Sequence, residues 1–442
     1  MPKKKTALTI EERLQQALVP AEEQPYEVPE NWVWVRLGAI AEIVTGGTPS
    51  KKHPEYYGGN FPFYKPSDLD QGRLTYDASE YLSEEGKKVS RIIPKNSTAV
   101  CCIGSIGKCG YLMCESTTNQ QINSAIPKIN SLCLYYYLCT ENFVQNLFSM
   151  ASATTIAIVN KSKMESCAFP LPPLSEQQRI VERIEELFAK LDEAKERLQE
   201  VADSFAVRKA AILHKAFTGE LTKQWRRENG VSDESWEEKK LGEVALLLSG
   251  QDFPPTKYNS DGNGIPYITG ASNFDDTHIL INRWTDEPSV IAQENDVLLV
   301  CKGSGYGKTI IADFKEAHIA RQIMALRVKE IIDNNLLLYY LRNKNRFIKE
   351  QGQGLIPGLS RKVILSLTIN LPTLPEQHEI VRLIDDLLAR ERSVQQATEQ
   401  ALASIDLMKK SILARAFRGE LGTNKASEAS ALELLKQVLA EN

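Results

Sequence analysis

The stretch of this 442-residue chain that comes nearest to a reactive site is Val300-Cys301-Lys302-Gly303-Ser304-Gly305-Tyr306-Gly307-Lys308-Thr309. An apolar run ending in a Gly-rich turn and Gly-Lys-Thr is the outline of a loop whose backbone N–H groups cradle phosphates. The spacing speaks against that chemistry. Gly303 and Gly307 stand one residue closer together than the pattern Gly-x-x-x-x-Gly-Lys-Ser/Thr requires. No acidic residue closes an apolar strand to hold magnesium. The first half of the chain has a matching turn, Gly104-Ser105-Ile106-Gly107-Lys108-Cys109, with no hydroxyl after its lysine. One reading fits both copies: a Gly-rich turn whose lysine, Lys108 or Lys308, reaches a DNA phosphate or a guanine edge.

Other reaction signatures are missing. There is no Gly-x-Ser-x-Gly elbow, no His-Glu-x-x-His and no Gly-x-Gly-x-x-Gly loop after a first strand. Nor is there an Asn/Asp-Pro-Pro-Tyr-like loop of the kind that surrounds a base during methyl transfer. The five histidines are scattered singly and read as structural or solvent-exposed. Seven of the eight cysteines fall between Cys101 and Cys167, without a Cys-x-x-Cys pair. They read as small buried apolar residues in a reducing compartment, not as disulfides or metal ligands.

Polar loops do recur, with the side chains that read base edges. The first half offers Thr48, Ser50, Lys51, Lys52, Lys65, Ser67, Lys108, Thr117, Asn119 and Gln120. The second offers Lys257, Thr269, Lys302, Lys308, Arg321 and Gln322. Lys161 and Arg361 occupy matching places and suit phosphate contacts.

The elements that must hold these loops are present twice, at an interval of 200 residues. Leu171-Pro-Pro-Leu-Ser-Glu-Gln-Gln178 is matched by Leu371-Pro-Thr-Leu-Pro-Glu-Gln-His378, and Ala216-Phe-Thr-Gly-Glu-Leu221 by Ala416-Phe-Arg-Gly-Glu-Leu421. Aligned without a gap from Leu171 to Leu221, 19 of 51 positions are identical, against roughly three from average residue usage. Between the copies lie two globular regions. Trp32…Leu37-Gly38 is matched by Trp236…Leu241-Gly242, and Phe61-Pro62-Phe63 by Ile265-Pro266-Tyr267.

The repeated segment predicts a helix over 176–217, with Ser175 and Gln178 as a capping box and Gly219 as a left-handed C-cap. Ile180, Ile184, Leu187, Leu191, Leu198 and Phe205 follow the alternating spacing of a coiled-coil seam. The second copy keeps Ile380, Ile384, Leu387, Val394, Ile405 and Ile412, and puts Glu391 and Thr398 into its seam. The two helices, each roughly 63 Å long, are expected to pair antiparallel. The organisation read from this pattern is an N-terminal helix and linker (1–30), a globular domain (31–170), a central long helix (171–222), a second globular domain (223–370), a distal long helix (371–424) and a C-terminal helix (425–442). Thr9–Glu12 and Ser430–Glu433 are the expected capping boxes of the terminal helices, and Tyr135–Phe148 reads as one helix. The class is α/β (α+β) with internal duplication.

Composition sets the outer limits. Hydrophobic residues at 42% are enough for two or three packed cores. The net charge of −4 argues against indiscriminate binding of polyanions. The charge is uneven: residues 31–170 carry 13 Lys/Arg against 11 Asp/Glu, and residues 223–370 carry 19 of each. The Met-Pro-Lys-Lys-Lys start lacks the apolar run of a signal peptide, so a cytoplasmic protein is expected.

Taken together, the tryptophan before each Leu-Gly, Gly46-Gly47-Thr48-Pro49-Ser50, the paired Gly-Ser…Gly-Lys turns and the duplicated helix-flanking motifs resemble the specificity subunit of type I restriction–modification systems. The resemblance covers nearly the whole chain. It implies two target-recognition domains, each reading one half of a split site in double-stranded DNA, with paired helices setting the unread gap. It implies a non-catalytic chain without a cofactor of its own. S-adenosylmethionine, ATP and magnesium would sit on partners, namely two methyltransferase subunits and the restriction/translocase subunits. The terminal helices would help to dock the methyltransferases. The second copy departs from the pattern: Gln251-Asp252-Phe253-Pro254-Pro255 replaces the Gly-Thr-Pro-Ser loop, and Arg321-Gln322 is set against Asn119-Gln120. Two other readings stay open, a P-loop-like ATPase and a coiled-coil adaptor that never touches DNA.

Overall fold

A computed structural model describes residues 9–152, 157–275, 277–303, 305–350 and 358–441. The chain forms two compact units. One is built from residues up to Leu198 together with Ala401 onward; the other runs from Gln199 to Gln400.

In the first unit a helix, Ile10–Ala17, starts at Thr9. Thr9 Oγ1 accepts the Glu12 N–H at 3.2 Å and Glu12 accepts the Thr9 N–H at 2.8 Å, so the expected capping box forms. Val33–Arg36 then pairs antiparallel with Ala168–Leu171, which ties the start of the globular module to its end. Between them lies a four-stranded antiparallel sheet in the order Ala41–Thr45, Ile122–Pro127, Thr98–Cys101, Cys109–Tyr111. Thr98–Cys101 is buried at every position because both its faces are covered. With the strand's two-residue alternation, Val100 enters the main core with Tyr137, Phe143 and Phe169, while Ala99 and Cys101 enter a smaller one with Tyr64 and Leu69. A second, three-stranded sheet joins Glu80–Leu82, Tyr57–Tyr64 and Thr117–Thr118.

The stretch read as one helix, Tyr135–Phe148, is two: Ser131–Leu138 and Glu141–Met150. Asn130 caps the first. Thr140 Oγ1 caps the second, accepting the Phe143 N–H at 3.2 Å. A threonine that can bond the backbone in a non-helical conformation breaks a run that apolar periodicity alone would carry through.

The second unit repeats the plan. Glu237–Lys240 pairs with Thr368–Leu371. The four-stranded antiparallel sheet runs Ala245–Ser249, Ile323–Val328, Val297–Val300, Thr309–Ile311. A mixed sheet runs Trp284–Thr285, Ile265–Ile268, Glu316–Ile319, Ile291–Gln293.

The long helices are Leu174–Phe217 and Leu374–Ala416. They pair antiparallel. In the first unit Asp192 bonds Lys409 and Lys195 lies 3.3 Å from Asp406, so advancing along one helix retreats along the other. In the second unit Arg208 holds Glu391 at 2.9 Å, while Leu213 and Ala216 share a core with Ile380 and Ile384. Phe205 and Ile405 are buried in the seam, and Leu187, Leu191, Leu198, Leu387 and Ile412 are half-buried. Ile180 and Ile184 are fully buried in the core of the first module, not in a seam of helix alone, and Ile380 and Ile384 do the same in the second.

Val394 is not a seam residue. It is 46% exposed, and the half-buried position beside it is Gln395, whose amide accepts from Lys209 at 3.2 Å. Thr398 is buried, as its seam position predicts, and its hydroxyl donates to the Val394 carbonyl at 2.8 Å. Polar seam residues bonded across the pair, or back onto their own helix, displace the apolar stripe by one residue.

Two expected caps differ. The central helix begins at Leu174, where the Glu176 and Gln177 N–H groups bond the Pro173 carbonyl at 3.0 Å. Ser175 therefore lies inside the helix, and the Gln178 side chain bonds Asn130 and Glu182 instead of forming a box. Tandem prolines preset the first turn early. The C-terminal helix Ala431–Ala440 is capped by Ser430, but Glu433 bonds Lys436 and closes no box. Gly219 and Gly419 end the long helices at φ +79 and +74, as the left-handed cap requires.

Candidate nucleic-acid interface

Much of the duplicated motif turns out to be architecture. Glu176 is fully buried at the start of the central helix. It accepts the Trp32 indole N–H at 2.7 Å, the Asn424 amide at 2.8 Å and the Thr423 hydroxyl at 3.2 Å. Glu376 repeats the arrangement with Trp236 at 3.1 Å, Thr222 at 2.7 Å and Arg226 at 2.7 Å. The neighbouring Gln177 and Gln377 are buried too; Gln177 bridges two backbone groups, and Gln377 bridges three. These residues lash the first strand of each module to a long helix and leave no side chain free for a ligand.

The Gly-rich turns are likewise closed inward. Gly307 N–H bonds Val300 O at 2.9 Å and Tyr306 N–H bonds Gly303 O at 3.1 Å. In the first unit Gly107 N–H bonds Cys101 O at 2.9 Å. Donors that a phosphate cradle would need are spent on the strand end and within the turn itself, which speaks against a phosphate cradle at these positions. Ser304 lies outside the described residues. The turns do present their lysines: Lys308 and Lys302 are exposed, while Lys108 is bound to Asp70 at 2.7 Å.

The most instructive geometry is a loop pinned against a strand end, built the same way in each module. Gly46 N–H bonds Ile122 O at 2.9 Å and Gly47 N–H bonds Thr118 O at 2.8 Å. A Cβ at Gly46 would stand 2.2 Å from Asn119 O, so only glycine allows this approach. In the second module Gly250 N–H bonds Ile323 O at 3.0 Å and Gln251 N–H bonds Ile319 O at 2.9 Å. A Cβ at Gly250 would stand 2.1 Å from Ala320 O.

This common bonding places Thr48 opposite Asp252 and Gln120 opposite Arg321. Setting Arg321-Gln322 against Asn119-Gln120, as the sequences suggested, is therefore off by one. The true equivalence is also seen at Gln121 and Gln322, whose carbonyls accept the Cys102 and Cys301 N–H groups at 2.8 and 2.7 Å. Side chains close each loop onto its strand end. The Thr48 hydroxyl bonds Gln120 Oε1. Asp252 accepts Arg321 Nε at 2.6 Å and the Arg321 backbone N–H at 3.1 Å.

The remaining candidates divide by exposure. Ser50, Lys51, Lys52, Ser67 and Arg361 are exposed. Lys65, Lys161 and Lys257 are held by Glu80 at 2.7 Å, Glu165 at 3.6 Å and Glu287 at 2.7 Å. Thr269 bonds Asn273 at 3.1 Å, and Gln322 is half-buried. Two candidates face inward and are corrected. Thr117 is fully buried as a strand residue paired with Phe63, and Asn119 is 7% exposed with its amide folded onto Gln121. A two-residue strand buried at both positions hides one, and a tight turn uses up the other; composition alone cannot see either.

His318 is one of the scattered histidines expected to be structural or solvent-exposed, and it is structural. It is fully buried, stacks on Phe253 with ring centres 4.0 Å apart, and its Nε2 meets Gln251 O at 2.9 Å. It clamps the loop that departs from the first copy. Desolvation holds its pKa below the usual histidine value. Its nearness in sequence to Arg321 was the only available signal.

A family model described as the type I restriction modification DNA specificity domain matches residues 29–203 and again 233–402. The chain belongs to this family. Each matched stretch takes in one module, from just before its tryptophan, and part of the long helix that follows. A putative type I restriction enzyme MjaX specificity subunit from Methanocaldococcus jannaschii is 24% identical over 408 residues, covering 86% of this chain and 92% of that protein. The type I restriction enzyme EcoKI specificity subunit of Escherichia coli K12 is 24% identical over 452 residues, covering 94% and 96%. The HsdS subunit crystal structure from Thermoanaerobacter tengcongensis has the same fold, with a TM-score of 0.66 at 22% identity over 90% of this chain and 99% of that one. A chain from a structure concerned with assembly and conformational transition of the type I R-M system superposes at 0.72 with 23% identity, covering 90% and 100%. No helix among the described residues is long and apolar enough to cross a membrane.

Proposed function

We propose that this chain is the non-catalytic subunit that gives a cytoplasmic type I restriction–modification complex its DNA sequence specificity. Each globular module reads one half of an interrupted duplex site, and the two long helices set the gap between the halves. The complex around it contains two methyltransferase subunits and restriction/translocase subunits, and these carry S-adenosylmethionine, ATP and magnesium. The surfaces of the long helices and the terminal helices serve as docking elements for the methyltransferases.

The observation that carries this reading is the repeated loop geometry within a family of specificity subunits. Two modules share a sheet plan and a glycine-pinned loop, yet present different side chains from it, as two readers of different sequences must. Continuity of each long helix through residues of both compact units supports a spacing role. Exchanging residues 32–170 for those of a relative and sequencing the adenine methylation deposited by the assembled methyltransferase tests it. One half of the methylated site should change while the other half and the gap stay. A change in both halves would refute modular reading.

A further inference from the structure

We propose that Gln120 and Arg321 are the base-choosing residues of their modules, Gln120 for adenine and Arg321 for guanine, each aimed by its loop partner, Thr48 or Asp252. This rests on the DNA-reading function proposed above and names the residues that make the choice.

The four residues form two equivalent pairs. The backbone bonds that pin the loops superimpose Thr48 on Asp252 and Gln120 on Arg321. Both members of each pair differ between the modules, and they differ in concert. A hydroxyl donor faces an amide oxygen in one module; a carboxylate faces a guanidinium in the other. Crossed pairings would aim the side chains differently: a carboxylate opposite Gln120 would draw its amide N–H, the donor that adenine N7 needs. All four side chains are exposed.

The donors and acceptors left over define the base. Gln120 Oε1 has two acceptor sites, and Thr48 fills one. The other accepts adenine N6–H while the Gln120 amide N–H donates to N7, the bidentate pattern for adenine. In the second module Asp252 takes the Nε–H of Arg321. The two terminal nitrogens then remain as a fork that matches guanine O6 and N7. An aimed side chain arrives with its rotamer already fixed, which is what discrimination between bases needs. An exposed ion pair of this kind adds little to folding stability, so substitutions can be read in recognition without losing the fold.

The test uses the complete complex with its methyltransferase and a DNA library randomised in both half-sites, scored by methylation sequencing. Asp252→Thr combined with Arg321→Gln should exchange one guanine for adenine in the second half-site only. Thr48→Asp combined with Gln120→Arg should make the reciprocal exchange in the first. Asp252→Asn alone should cut the guanine preference about tenfold while the salt dependence of binding is kept. If the double exchanges leave both preferred sequences intact on a site that is still split and still protected, the inference is overturned. It is overturned equally if Arg321→Gln only lowers the salt slope by about one with no change of base, the mark of a phosphate contact. If the unsubstituted complex methylates no interrupted site at all, the parent reading falls and this one with it.

Discussion

Trp32 gives its indole N–H to the buried carboxylate of Glu176 at 2.7 Å, and the same bond, Trp236 to Glu376 at 3.1 Å, is made in the second unit. The two carboxylates differ in what else they hold. Glu176 gathers neutral donors, whereas Glu376 faces the guanidinium of Arg226, whose side chain is 7% exposed. Removing the carboxylate should therefore cost more in the second unit. Glu376→Ala takes from Arg226 its buried counter-charge, leaving only the exposed Asp233 at 2.9 Å, and should lose about 3 kcal/mol or more. Glu176→Ala leaves polar neutral donors unpaired and should lose about 1–3 kcal/mol. Denaturant unfolding of the two variants compares them; equal losses would contradict the assignment.

The pinned loops make a sharp prediction from a single methyl group. Gly46→Ala drives a Cβ against the Asn119 carbonyl, while the neighbouring Gly47 has open space around its would-be Cβ. Gly46→Ala should displace the loop and abolish selectivity in the first half-site, and Gly47→Ala should leave it nearly unchanged. Methylation sequencing of both variants decides this, with circular dichroism to show that the fold persists.

His318 should make the second unit sensitive to acid. Burial lowers its folded pKa from the ordinary histidine value of 6.5. The unfolded chain thus takes up the proton first, so the stability this group contributes is present above about pH 6.5 and is lost as pH falls through the folded value. Unfolding measured at pH 7.5 and pH 5.5 should show a drop that His318→Phe, which keeps the stack on Phe253, largely removes. An unchanged pH dependence would mean that another group titrates.

Lys308 separates the surviving reading from nucleotide hydrolysis. Lys308→Ala should leave ATP binding by this chain absent before and after. It should weaken DNA binding by the complex across all sequences, with the salt slope reduced by about one. Filter binding over a salt series reads the second effect, and isothermal titration with ATP reads the first.

The frame of the molecule was legible in its sequence because the signals are local and strong. The Thr9 cap and the glycines after each long helix rest on neighbours a few residues apart, and the 200-residue repeat is a gapless match of residue to residue. The helix pairing followed from seam spacing, but Val394 did not, since the actual stripe is set by long polar side chains such as Gln395 reaching across the pair. The reading loops were legible as polar segments, not as geometry. Thr117 and Asn119 look as suitable as Gln120 until the strand and turn dispose of them. The one-residue slip between Gln120 and Arg321 was invisible because only backbone bonds to a distant loop fix that register. That His318 clamps a loop was not legible for a similar reason: its partners, Gln251 and Phe253, lie far off along the chain.

The most direct test removes seven residues from each long helix, Glu196–Ala202 and Thr398–Ser404, which keeps the seam in phase. Seven residues shorten a helix by about 10 Å, or roughly three base pairs of duplex. Methylation sequencing of the shortened complex should show both half-site sequences unchanged and the gap between them reduced by about three base pairs. A methylated site with its original gap would contradict the claim that these helices measure the distance.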